Sequence, residues 1–418
     1  MKEGGFMKKL QLSTKILIGL GAGILVGLLL QGAPAVANTW IKPFGSLFLN
    51  LIKMIIVPLV LASLVVGTCG LGDVKKLGRI GGKTLAYYLL TTAFAVTLGL
   101  IIANVFNVGG GLSIPVDAAK VEATQAPKFI DTLLGIVPTN PIKAMADGNM
   151  LQIIVFALVL GGGIVAIGDK GTPLFSFFDS LAEVTYKITN AIMSFAPIGV
   201  FALITPVVAA NGPKVLLPLL KVVIAVYLGC FLHMLIVYSS TLKILGNFSP
   251  VKFFKGIFPA QAIAFTTASS SATLPINMKC IEENMGVSKP ISSFVLPLGA
   301  TVNMDGTALY QGICALFVAQ VYGIDLTFAQ NVTIVLTATL ASIGTAGVPG
   351  AGLIMLTMVL QSVGLPLEGV ALIAGIDRIL DMARTVVNIT GDASCAVIVA
   401  ATENELDRNC ETKTTLSA

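Results

Sequence analysis

The chain has 418 residues, of which 55% are hydrophobic and only 11% charged, with a formal net charge of +5. Soluble domains carry about 25% charged residues, so the composition excludes an ordinary soluble protein and points to an integral membrane protein. The positive charge is modest and clusters in loops, which gives no ground for a nucleic-acid role.

Residues 14–33, TKILIGLGAGILVGLLLQGA, reach the roughly 20 apolar residues that a membrane-crossing helix needs. This run is too long for a typical signal peptide and more spans follow, so it is expected to be retained. Further spans are expected at 42–68, 84–107, 149–168, 181–210 and 215–245. The second is long, with Pro58 near its middle. The stretch 108–148 contains GGG, APK and PTNP and reads as an outer loop with irregular or broken helix. Lys2, Lys8, Lys9 and Lys15 precede the first span, Lys75, Lys76, Arg79 and Lys83 follow the second, and Lys243, Lys252 and Lys255 follow the sixth. The positive-inside rule then places the amino terminus in the cytoplasm, and six crossings return the chain there near residue 246.

The pattern changes after this point. Residues 250–287 read as an apolar arm, the tip SSSATLP (269–275) and a second arm. Residues 289–323 read as a span interrupted by NMDGT (303–307). The hairpin pattern recurs at 331–363 around GTAGVPGAG (344–352), and a last span covers 366–402. Interrupted hydrophobic segments in corresponding places indicate inverted repeats with a site near the bilayer midplane. Ordinary loops are the alternative. Irregular backbone is not tolerated against lipid but does line cavities buried in protein, so two re-entrant hairpins are the preferred reading. The six cysteines, Cys69, Cys230, Cys280, Cys314, Cys395 and Cys410, form no CxxC pair and read as small packing residues.

The last span carries GIDRILDMARTVVNITGD (375–392). At about 100° per residue, Asp377, Asp381, Arg384, Thr385, Asn388 and Asp392 fall within an arc of roughly 100°, and Arg378 lies just beyond it. Charges inside a membrane cost at least ~2.5 kcal/mol each on insertion scales and mark a site or pathway. Internal ion pairs such as Asp381 with Arg384 are the bland alternative, but pairs alone leave Thr385, Asn388 and Asp392 unexplained. Arg384 offers a planar fork for a carboxylate, and Asp381, one turn away, suits an ammonium group. With the serine-rich tip, the set matches an amino acid carrying a second carboxylate. Asp392, Asn388, Asp305 and Asn303 are hard oxygen ligands suited to a small cation such as sodium. His233 reads as a polar packing residue. Ser269, Ser270 and Ser271 have no GxSxG elbow and no nearby base, which sets aside an intramembrane hydrolase. An ion channel is the other rival, which unitary currents without solute counterflow would reveal.

Four motifs in order, SSSATLP, NMDGT, GTAGVPGAG and DRILDMARTVVNITGD, resemble the glutamate transporter family, the dicarboxylate/amino acid:cation symporters. The resemblance runs from LIKMIIVPLV (51–60) to IVAATENELD (398–407). It implies an all-α integral membrane protein with eight transmembrane helices and two re-entrant helical hairpins. It also implies a homotrimer in membrane lipid, with both termini cytoplasmic in a prokaryotic inner membrane, and no enzymatic activity or cofactor. A trimerisation scaffold would comprise about 14–68 and 149–210. A transport part, about 84–107 and 215–402 with both hairpins, would carry solute as an elevator, with the second hairpin and its glycines as the outer gate.

By the same resemblance, Asp381 would hold the substrate's amino group and Arg384 its side-chain carboxylate. Thr307, Asn388 and the backbone around Ser269, Ser270 and Val348 would hold the main carboxylate, with Met304, Gly352 and Thr385 nearby. One sodium would use Asp392 with backbone of Gly299, Asn303 and Asn388. A second would use backbone of Thr301, Ser342, Ile343 and Thr345, and a third Tyr88, Thr91, Thr92, Asn303 and Asp305. Two departures are informative. Ala268 stands where archaeal members carry an arginine, and Arg378 appears on the last helix instead, as in animal and many bacterial members. Gln311 stands where proton-co-transporting animal members carry a glutamate, so proton symport by that route is not expected. The implied function is sodium-coupled symport of aspartate or glutamate, with proton-coupled or C4-dicarboxylate symport as the alternative.

Overall fold

The computed structural model describes residues 12–69, 78–112, 137–343, 345 and 350–408. Among these residues the chain is built from helices, and the only pairing of extended backbone is an isolated antiparallel bridge between Val287 and Leu406. This is an all-α membrane fold. The segments 79–106, 216–244 and 377–402 are long and apolar enough to cross a membrane by length and composition, and shorter apolar helices accompany them.

One group of helices contains α1 (Leu12–Leu29), α2 (Lys42–Cys69), α4 (Met150–Ala166), α5 (Thr172–Ser194) and α6 (Ala196–Asn211). α2 packs against α4, α5 and α6, while α1 lies along α6. Gly19, Gly23 and Gly27, spaced four apart on α1, face Pro197, Phe201, Thr205 and Val208 of α6 so closely that no side chain fits between them. Small residues at this spacing let backbones approach, which is how helices associate where lipid is as apolar as leucine. The expected span 181–210 is instead two helices. α5 begins nine residues earlier and the chain breaks at Phe195, because Pro197 has no N–H to give the carbonyl one turn back.

The second group begins with α3 (Gly78–Phe106). It starts six residues before the expected span because Arg79 and Lys83, which read as loop charges, are held within the helix by Glu403. Next come α7 (Leu216–His233), a π-helical turn over Met234–Tyr238, and α8 (Ser239–Ile244). The first hairpin is α9 (Pro250–Thr267) and α10 (Ser270–Met285), which pack on each other. Its break is far shorter than SSSATLP. Only Ala268 and Ser269 are non-helical, with Ala268 left-handed at φ 49° and Ser269 capping α10.

α11 (Lys289–Val302) and α12 (Asp305–Val321) are likewise parted only at Asn303 and Met304. The second helix pair is α13 (Phe328–Ser342), started by a Thr327–Gln330 capping box, and α14 (Ala351–Ser362). Gly344 and 346–349 between them, including Val348 and most of the expected gate, lie outside the described residues, as do 113–136 and Cys410. The five described cysteines are free. α15 (Asp377–Thr402) is buried almost throughout, packed by α9, α10, α11, α12 and α7.

Candidate functional site

The polar stripe of α15 faces protein: Asp377, Asp381, Arg384, Thr385, Asn388 and Asp392 are all buried. Arg384 is fully enclosed. Its Nη1 donates to Asp377 Oδ1 at 2.7 Å, its Nη2 lies 2.7 Å from Asp381 Oδ1, and its Cζ sits 4.1 Å from the centre of the Tyr310 ring. The internal ion pair considered as the bland alternative is therefore present, and Asp377, absent from the expected ligands, belongs to it. The cluster is still incomplete. Arg384 Nε and Nη2 make no aligned hydrogen bond although buried, and unmet buried donors are costly. Two carboxylates face one guanidinium, so the cluster carries one formal negative charge in excess. Asp381 Oδ2 accepts from Gly350 N at 3.1 Å, which ties it to the start of α14. A side chain at Gly352 would meet the guanidinium at 3.0 Å, so any larger residue there would press on Arg384.

One turn further along α15, Asn388 is bonded to the break between α11 and α12. Its Oδ1 accepts from Gly306 N at 2.8 Å, and its Nδ2 faces Thr307 Oγ1 at 3.3 Å and Met304 Sδ at 3.2 Å. Its backbone oxygen accepts from Asn303 Nδ2 at 3.1 Å, and the same amide reaches Asp392 Oδ1 at 2.8 Å. Asn303 Oδ1 is buried and has no partner. Gly299 backs this spot, since a side chain there would strike both the Asp392 carboxylate and the Tyr88 hydroxyl. On the other side Asp305, in the first turn of α12 and fully buried, takes Thr92 Oγ1 on Oδ1 at 2.6 Å. Two buried carboxylates and an unpartnered amide oxygen thus lie at and beside the extended backbone break, an oxygen-rich, electron-rich set. Such a donor set suits a hard cation. Among the described residues no three His, Cys, Asp or Glu side chains converge as a transition-metal site would require.

Other expected residues are less gathered. Ser269 and Ser270 are buried at the first hairpin tip, where the Ser269 hydroxyl accepts from Ala272 N at 3.2 Å. Thr91 donates to Tyr88 O at 3.2 Å within its own helix, and the Tyr88 hydroxyl donates to Val295 O at 3.1 Å. Thr301 is exposed and bonds Leu298 O, while Ser342 and Thr345 bond Thr339 O and Ala341 O. Among the described contacts no hydrogen bond joins Thr301 to Ser342, Ile343 or Thr345. Arg378 does not point at the stripe. Its Nη2 donates to Thr267 O at 3.1 Å and lies 3.4 Å from Thr266 O, closing the end of α9. His233, expected as a polar packing residue, is fully buried with Nε2 3.2 Å from Asp305 Oδ2, and the Tyr238 hydroxyl donates to the same oxygen.

A profile of the sodium:dicarboxylate symporter family matches residues 12–402. The chain is 43% identical over 413 residues, 96% of each chain, to a proton/sodium-glutamate symport protein of Geobacillus stearothermophilus. It is 40% identical over 418 residues, 96% of this chain and 94% of the other, to a proton/glutamate-aspartate symporter of Escherichia coli (strain K12). To a C4-dicarboxylate transport protein of Bacillus subtilis (strain 168) it is 35% identical over 407 residues, 95% of this chain and 94% of the other.

Proposed function

Because the chain belongs to the sodium:dicarboxylate symporter family, we propose that it is a sodium-coupled symporter of acidic amino acids in a prokaryotic inner membrane. Its relatives are symporters, not enzymes, and the chain is a multi-pass membrane transporter. The observation that carries the finer reading is the Asp377–Arg384–Asp381 cluster beside the oxygen pocket of Asn303, Asp305 and Asp392. Buried donors of Arg384 await a carboxylate. The excess negative charge of the cluster favours a solute that brings an ammonium group, and Asp381 is the carboxylate placed to take it. Asn388, one turn from Arg384 on α15, is bonded to the α11–α12 break, so solute and cation would stabilise one another through it.

The alternative is a proton-coupled or C4-dicarboxylate symporter, as some relatives are named. A dicarboxylate lacking an amine would add two negative charges to a cluster already one negative in excess. Gln311, buried on α12, has no ionisable group to carry a proton.

In this reading the fold has eight transmembrane helices and two re-entrant hairpins, with both termini cytoplasmic. The helices α1, α2 and α4–α6 form a scaffold that assembles three copies. The α3 and α7–α15 group moves as an elevator. The packing supports this division, since each group is knit chiefly within itself, around α2 in one and α15 in the other. The test is uptake of labelled aspartate, glutamate and a C4-dicarboxylate into proteoliposomes under separate sodium and proton gradients. Sodium-driven uptake of the two amino acids is expected. Equal uptake on a proton gradient in sodium-free buffer, or preference for the dicarboxylate, would overturn it.

A further inference from the structure

His233 is the only histidine in the chain and is completely buried. It ends α7, and the next five residues, Met234–Tyr238, form a π-helical turn. In an α-helix, residues five apart are turned from each other by about 140°. The i→i+5 bonding of a π-turn instead brings them onto one face. Here the two rings meet edge to face, with centroids 4.9 Å apart and planes at 85°. Both converge on a single atom: the Tyr238 hydroxyl donates to Asp305 Oδ2 at 2.8 Å, and His233 Nε2 lies 3.2 Å from it. The neutral tautomer with its hydrogen on Nε2 fits this contact and leaves Nδ1 as the buried, unpartnered nitrogen. Thr92 takes the other oxygen, Oδ1. Asp305 is thus held by two helices, α3 and α7 with its π-turn, and its orientation is fixed by donors that lie outside the α11–α12 break.

We infer that His233 and Tyr238 are positioning residues for cation coupling: the π-turn grips Asp305 Oδ2 so that Oδ1, the oxygen beside the Thr92 hydroxyl, is the one presented to the ion, and this sets the apparent affinity for sodium. The inference rests on Asp305 being a sodium ligand, as proposed above.

The experiment measures the sodium dependence of labelled aspartate uptake by purified protein in proteoliposomes, for the parent chain, Asp305→Asn, Tyr238→Phe, His233→Leu and His233→Gln. A hydrogen bond to a charged group accounts for roughly tenfold or more in binding. Tyr238→Phe and His233→Leu are therefore expected to raise the sodium half-saturation about tenfold or more, with the maximal rate regained at high sodium. Glutamine carries an amide donor near the place of Nε2, so His233→Gln is expected to restore most of the affinity lost in His233→Leu. A merely structural role would lower the amount of active protein, hence the maximal rate, without moving the half-saturation. If His233→Leu does not fold, Tyr238→Phe and His233→Gln decide the matter: an unshifted half-saturation in Tyr238→Phe, or no donor rescue by glutamine, overturns the proposal. Sodium-independent uptake by the parent chain, or an Asp305→Asn protein with parental sodium dependence, overturns the reading on which it rests. Parental values in Tyr238→Phe beside a sodium-blind Asp305→Asn overturn only the positioning role.

Discussion

Arg384 does two jobs in the structure, and they have different consequences. It pairs with both Asp377 and Asp381, and it keeps buried donors without aligned partners, which are proposed to take a substrate carboxylate. Losing one partner of a buried charge pair costs roughly 3–5 kcal/mol. Arg384→Ser is therefore expected to lower thermal stability and to weaken aspartate binding by about two to four decades. The double variant Arg384→Ser with Asp377→Asn should recover much of the stability but not the binding, as read by thermal unfolding and labelled-aspartate binding. Arg378→Ser should retain parental affinity, because its guanidinium serves the carbonyls of α9; the opposite pattern would mean that Arg378 is the recognising arginine. The stripe was legible because one helix period gathers Asp377 to Asp392 on one face and nothing else in an apolar chain explains them. The Asp381–Arg384 pair was named only as the bland alternative, and Asp377 as its third member was not legible. Sequence spacing places side chains on a face but does not say which of several neighbours a guanidinium chooses. His233 is the polar packing residue it was read as, but its partners were not legible for a related reason: only a π-turn aligns it with Tyr238, and no local composition marks where such a turn falls.

Helices α1 and α6 show the same limit at the level of elements. GLGAG and its continuation read as a plain apolar span, yet three of its glycines form the seam against α6. Gly23→Leu is expected to destabilise by about 1–3 kcal/mol, the usual cost of forcing volume into a packed interface, because its side chain would meet Phe201 and Ile204. Gly21→Leu, with open space around its Cβ, should leave thermal unfolding unchanged, and equal losses in both would refute the seam. Element ends were the least legible. The span expected at 84 begins at Gly78, and the one expected at 181–210 divides at Phe195. In each case a tertiary partner or a proline outweighed hydropathy. The break of the first hairpin and the interruption of the 289–323 span were located but drawn too wide, since Ser270–Pro275 and Asp305–Thr307 lie within helices.

Across the whole molecule, the two ends of the second helix group are clasped by Glu403, whose carboxylate meets Lys83 at 2.6 Å and also Arg79. The Lys83 bond first, and Arg79 after it, hold Glu403 below the ordinary carboxylate range. A lowered folded-state value means that the clasp stabilises above the unfolded value, about 4.3 for glutamate, and is lost as pH falls through the lowered one. Glu403→Gln should therefore unfold at lower temperature than the parent at neutral pH, with the difference closing in acid. A constant difference across that range would show that the clasp acts through shape alone. α15 is also the last helix to leave the ribosome of all those described. Its aspartates and arginine would enter lipid poorly on their own, at ~2.5–3.5 kcal/mol for each charge. By then the segments that receive them, from Tyr88 to Gly350, have already been synthesised. Gene order thus doubles as assembly order: the nascent chain prepares a polar socket before it delivers the charged plug, and translation itself spares the bilayer an unaccompanied charge.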